Sequence, residues 1–112
     1  MNHSFGLRQS DLTTICHVLS KYPEVQQAYI FGSRAKGNYK NGSDVDIALK
    51  GELLTQHITN QISYELNEET NMPYQFDVLN YLAITEPALT DHINRIGKVF
   101  YEIDNHKLLT FT

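Results

Sequence analysis

The chain has 112 residues, of which 41% are hydrophobic and 20% charged. That is one domain, able to bury roughly two-thirds of its unfolded surface, and too apolar for a disordered segment. Nine Lys/Arg against thirteen Asp/Glu leave a net charge of −4, which disfavours a general nucleic-acid binder, whose phosphate contacts need positive surface.

The charge is unevenly placed. Residues 1–50 hold six basic and four acidic side chains, and residues 51–112 hold three and nine. A cationic working surface is therefore expected in the first half. The one cysteine, Cys16, excludes an internal disulfide and fits a reducing compartment. The opening Met1-Asn2-His3-Ser4-Phe5-Gly6 is polar, unlike a secretory leader. No apolar run exceeds four residues, too few to span a bilayer. A cytoplasmic protein without membrane contact is expected.

Residues 1–9 read as a terminal extension. Ser10 is placed to cap a helix over 11–21, with Leu12, Ile15, Cys16 and Leu19 on one stripe. Pro23 ends it. Val25 to Phe31 reads as a strand, broken by Gly32. The segment Ser33-Arg34-Ala35-Lys36-Gly37-Asn38-Tyr39-Lys40 is polar and basic, with a short helix opening at Ser33 and a turn at Asn41-Gly42. Val45 to Lys50 is a second strand. Thr55 to Thr70 is helical, with Ile58, Ile62 and Leu66 spaced by four. After a turn at Asn71-Met72-Pro73, Tyr74 to Leu79 is a third strand. Thr85 caps a helix with Pro87 in its first turn and Leu89, Ile93 and Ile96 inward, ended by Gly97. Val99 to Ile103 is a fourth strand, and 104–112 form a second extension carrying Leu108, Leu109 and Phe111. The expected class is α/β (α+β): a domain over 10–103 with a small sheet of about four strands and helices packed on it.

Asp44-Val45-Asp46 carries the strongest chemical signal. On a strand, residues two apart share a face, so both carboxylates project together. Two carboxylates this close repel, and a divalent cation relieves the conflict. Their hard oxygens suit Mg²⁺. Alone, such a pair is an ordinary solvated strand edge. The preceding loop changes its weight. Gly32-Ser33 follows an apolar strand and opens a helix, where glycine admits a phosphate and free N–H groups face it. Arg34, Lys36 and Lys40 add positive charge. A third acid, Asp77, sits mid-strand between Phe76 and Val78, a costly place for a buried lone charge. Beside the second strand it would join Asp44 and Asp46. Three carboxylates can hold two metals about 4 Å apart for in-line phosphoryl transfer, or Asp77 can take a proton from an attacking hydroxyl.

Gly32-Ser33, ten residues, then Asp44-Val45-Asp46, with Asp77 beyond, resembles the signature of the nucleotidyltransferase fold of the DNA polymerase beta superfamily. The small size and the Gly-Ser-Arg-Ala-Lys-Gly stretch look most like minimal nucleotidyltransferases. Those are usually paired with a HEPN protein in toxin–antitoxin modules. The resemblance covers about residues 10–103. It implies a mixed sheet and a metal set of Asp44, Asp46 and Asp77, with Asp77 as ligand or base and two Mg²⁺ ions. It implies nucleotide contacts from Gly32 and Ser33, then Arg34 and Lys36, with ATP as substrate. It further implies AMP transfer to a hydroxyl, a tyrosine of the HEPN toxin. Two alternatives stay open: an antitoxin acting by binding alone, and transfer to a small molecule such as an antibiotic.

Other residues invite plainer readings. The histidines at 3, 17, 57, 92 and 106 lack metal spacing, so no zinc site is expected. Cys16 and His17 are helix neighbours pointing apart, which argues for a core cysteine. The twelve Tyr and Phe residues are expected mainly in the core. Glu65, Glu68 and Glu69 form an acidic helix end, which the helix dipole disfavours.

Overall fold

Ile30, Ile47 and Val78 lie side by side across three neighbouring strands, and that apolar row decides which sheet face is buried. The computed structural model describes residues 5–103. Its elements are α1 (Gln9–Ser20), β1 (Gln27–Phe31), α2 (Gly32–Lys36), β2 (Val45–Lys50), α3 (Gln56–Glu68), β3 (Phe76–Asn80), a 3₁₀ turn (Tyr81–Ala83), α4 (Pro87–Ile96) and β4 (Lys98–Glu102). The four strands form one mixed sheet in the order β3-β2-β1-β4. β1 runs antiparallel to both β2 and β4, whereas β2 and β3 are parallel, joined through α3.

Alternation along the strands splits the core in two. On one face Ile30, Ile47, Leu49, Phe76 and Val78 meet Ile15 and Leu19 of α1 and Ile62 and Leu66 of α3. On the other, Phe31 and Ala48 meet Ile93 of α4, with Tyr29, Leu79 and Leu89 at the margin. Of the three apolar positions expected inward on α4, only Ile93 is fully buried.

Several boundaries move, each for a local reason. α1 starts at Gln9 and not after Ser10, because Asp11 does the capping: its carboxylate accepts the Arg8 backbone N–H at 3.0 Å. Asp11 is itself buried and also accepts the Tyr74 hydroxyl at 2.7 Å. Thr55, read as the first helical residue, instead caps α3, accepting the Ile58 N–H at 3.1 Å. Thr85 does not cap α4. Glu86 stands at the cap without a side-chain bond, and Pro87 begins the helix. β1 starts at Gln27 and β3 at Phe76, two residues later than the apolar pattern suggests. Leu7, within the stretch read as an extension, is completely buried in the main core. Residues 104–112, with Leu108, Leu109 and Phe111, lie outside the described residues.

Glu65 resolves the oddity of an acid near a helix end. It pairs with Lys21 and accepts the Tyr22 hydroxyl at 2.9 Å, tying α3 to the end of α1. The Lys21 ammonium holds its carboxyl below the usual range. No helix among the described residues is long and apolar enough to cross a membrane.

Candidate active site

β2 and β3 bring the carboxylates together. Asp46 pairs with Phe31 of β1 on one side and with Asp77 of β3 on the other. Side chains in register on neighbouring strands share a face, so Asp46 and Asp77 stand together on the α4 side of the sheet. Asp44 lies just before β2, two residues from Asp46 and exposed, as is Asp77. Asp46 is half-buried. Burial foremost, then the Asp77 charge and then that of Asp44, raises its carboxyl from 3.8 to about 6, while Arg34 pulls the other way. Asp46 thus feels the charge of both other acids.

The end of β1 supplies the second half of the site. The chain turns into α2 at Gly32, whose φ is +73°. A Cβ there would collide with Asp46 Oδ2. Glycine is required both for the left-handed backbone and for the room it leaves the carboxylate. The Gly32 N–H donates to His92 Nε2 of α4 at 3.1 Å. Ser33 follows, half-buried. Gly37, in the left-handed region, ends α2 after a single short turn.

Arg34 has a different place from the one its charge suggests. It is only 4% exposed. Nε and Nη2 donate to the Ser43 carbonyl at 3.1 and 2.8 Å, and Nη1 donates to the Phe5 carbonyl at 2.8 Å. The rings of Tyr39 and Tyr74 each lie 5.2 Å from the guanidinium carbon. Its donors thus clamp Ser43, the residue before Asp44. Lys36 and Lys40 remain exposed on the same loop.

Sequence reasoning missed His92. It was one of five scattered histidines, and only folding sets α4 against Gly32. Its ring also meets Phe31 edge-on, centroids 6.0 Å apart. Cys16 is half-buried, and burial pushes its thiol up, consistent with a packing role.

The Polymerase beta nucleotidyltransferase family model matches residues 13–106. The chain belongs to that family. Probable protein adenylyltransferase MntA of Haemophilus influenzae is 25% identical over 96 residues, covering 86% of this chain and 83% of that protein. A toxin–antitoxin structure with AMP-PNP superposes with a TM-score of 0.67 at 19% identity, covering 92% of this chain and 80% of that one. A tri-AMPylated Shewanella oneidensis HEPN toxin in complex with MNT antitoxin gives 0.65 at 19%, covering 90% and 77%. These structural likenesses establish a shared fold.

Divalent metals such as Mg²⁺ are held by hard oxygen donors, and Asp44, Asp46 and Asp77 are of that kind. The Asp77 and Asp44 charges add to burial in lifting Asp46 to about 6. Among the described residues, no three acidic, histidine or cysteine side chains are drawn together as a ready coordination shell. Like charges favour such an open arrangement until a cation compensates them. Register makes Asp46 and Asp77 neighbours, and the Asp44 charge reaches Asp46.

Proposed function

We propose that this chain is an Mg²⁺-dependent nucleotidyltransferase that moves AMP from ATP to a tyrosine hydroxyl of a HEPN ribonuclease toxin and so acts as its antitoxin. The observation that carries this reading is the row Phe31–Asp46–Asp77, with Gly32 closing on Asp46 at its end. Membership of the nucleotidyltransferase family supports the reaction class. The relative named as a probable protein adenylyltransferase and the neighbours solved with AMP-PNP or with an AMPylated HEPN toxin support the donor and acceptor.

Each residue has a role. Gly32 and Ser33 receive the phosphates, and Lys36 adds charge at the loop's exposed side. Asp44 and Asp46 would hold Mg²⁺, and Asp77 as a ligand would complete the set for a second ion. When bound, Mg²⁺ neutralises the triphosphate and orients its α-phosphate. If it serves as the base instead, Asp77, exposed beside Asp46, would accept the proton of the attacking hydroxyl. The acceptor oxygen bonds to the α-phosphorus and pyrophosphate leaves. Asp44 and Asp77 are both exposed, so this face is open. A partner that brings the acceptor would also exclude water and suppress futile hydrolysis.

Co-expression with a HEPN protein and intact-mass spectrometry test the reading. The partner should gain mass in steps of one AMP, and Asp44→Asn/Asp46→Asn should abolish the gain. A double variant that still binds and protects as well would leave binding alone as the essential activity. Rapid ATP turnover by the lone chain on a small molecule would favour a small-molecule acceptor instead.

A further inference from the structure

Gly32 lies at the centre of the proposed phosphate site, yet its N–H already has a partner in His92 Nε2 at 3.1 Å. The imidazole is steadied edge-on against Phe31, the planes 77° apart. A ring that accepts through Nε2 and is neutral carries its proton on Nδ1. A phosphate oxygen bonding to the same N–H would need the position that Nε2 fills. Two acceptors with opposed lone pairs cannot share one N–H at full strength.

We infer that His92 is a placeholder: it satisfies Gly32 N–H in the nucleotide-free protein and is displaced from it when a triphosphate binds. This rests on reading Gly32-Ser33 as the phosphate site. The geometry suits the role. Gly32 is half-buried, where an N–H without a partner is costly. His92 is half-exposed, so its ring has solvent to rotate into while Ile93 keeps α4 anchored. The consequence is a weakened grip on nucleotide, since each binding event must break one protein hydrogen bond.

Two variants and one spectroscopic signature test this. His92→Phe keeps an aromatic ring against Phe31 and removes the acceptor. His92→Gln returns an acceptor at similar reach. Titrated with AMP-PNP and Mg²⁺, His92→Phe should bind about fivefold tighter than the wild type, the factor for sparing one neutral hydrogen bond. His92→Gln should restore wild-type affinity. In the wild type, a through-hydrogen-bond nitrogen–nitrogen coupling between Gly32 N and His92 Nε2 should disappear on saturation with AMP-PNP. A coupling that survives saturation overturns the placeholder, as does a His92→Phe variant binding no tighter. If AMP-PNP binds without moving the Gly32 amide resonance at all, the phosphate site itself has been misplaced and the inference falls with it.

Discussion

Asp46 and Asp77 are register partners in the parallel ladder of β2 and β3, so two acids meet on one sheet face with no side chain between them. Burial and this neighbour together raise Asp46 to about 6. A carboxyl raised on folding stabilises the fold only while it can hold its proton. That contribution is complete below the ordinary value of 3.8 and is lost as pH climbs to about 6. Asp46→Asn should therefore match the wild type in acid and be the more stable above pH 6. A rise from 3.8 to about 6 caps the difference at about 3 kcal/mol, which partial exposure reduces to about 1–2 kcal/mol. Urea melts across pH 4–8 measure it, and added Mg²⁺ should narrow the gap at neutral pH.

Gly32→Ala should destabilise by more than the left-handed backbone alone demands, since its Cβ also collides with Asp46 Oδ2. Strain of this kind costs about 1–3 kcal/mol. Gly37→Ala is the matched control: its φ is +88° and a Cβ there meets nothing within 4 Å. It should lose only about 1 kcal/mol and keep its activity. Equal losses in the two variants would deny the close approach of Gly32 to Asp46.

Arg34→Lys preserves the charge and forfeits the fork that grips the Ser43 and Phe5 carbonyls. A stability loss of about 2 kcal/mol is expected, from one or two buried bonds to a charged donor. The transfer rate should fall with it because Asp44 follows Ser43 directly. An unchanged melting midpoint with weakened ATP binding would instead assign Arg34 to the nucleotide.

Asp77→Asn leaves the hydrogen-bonded core untouched, because the side chain is exposed. Folding stability should hold in acid and rise slightly above pH 6, where the repulsion on Asp46 is relieved. AMP transfer should fall by about 10²–10⁴-fold if a general base is lost. Single-turnover mass spectrometry with the HEPN partner separates this from a defect in ATP binding.

Ser33→Ala should weaken triphosphate binding by about 1.5 kcal/mol or more, the worth of one hydrogen bond to a charged group. Calorimetry with AMP-PNP and Mg²⁺ reads it directly. No loss would remove the hydroxyl from the phosphate site.

Much of this was legible in the residues themselves. Alternation in Val45–Lys50 and four-residue spacing in Ile58, Ile62 and Leu66 specify their elements because side-chain period follows backbone geometry. The spacing of Asp44 and Asp46 predicts a shared face if both lie on the strand, but β2 begins at Val45 and leaves Asp44 just before it. Gly32 announces a close approach, though not that the approaching group is the Asp46 carboxylate. The alternation could not say which strand lies beside which. That is settled by the crossover through α3, which sets Asp77 beside Asp46 across a gap of 31 residues in the chain. It could not foresee that Asp11 caps α1 while meeting Tyr74, or that Arg34 turns inward between two tyrosines, because those partners come from distant segments. His92 is the clearest case. Nothing near it in the chain marks it, and its bond to Gly32 exists only because α4 packs over the end of β1. Local periodicity determined the elements; packing between remote segments decided which polar groups meet, because hydrogen bonds and charges act through space and not along the chain.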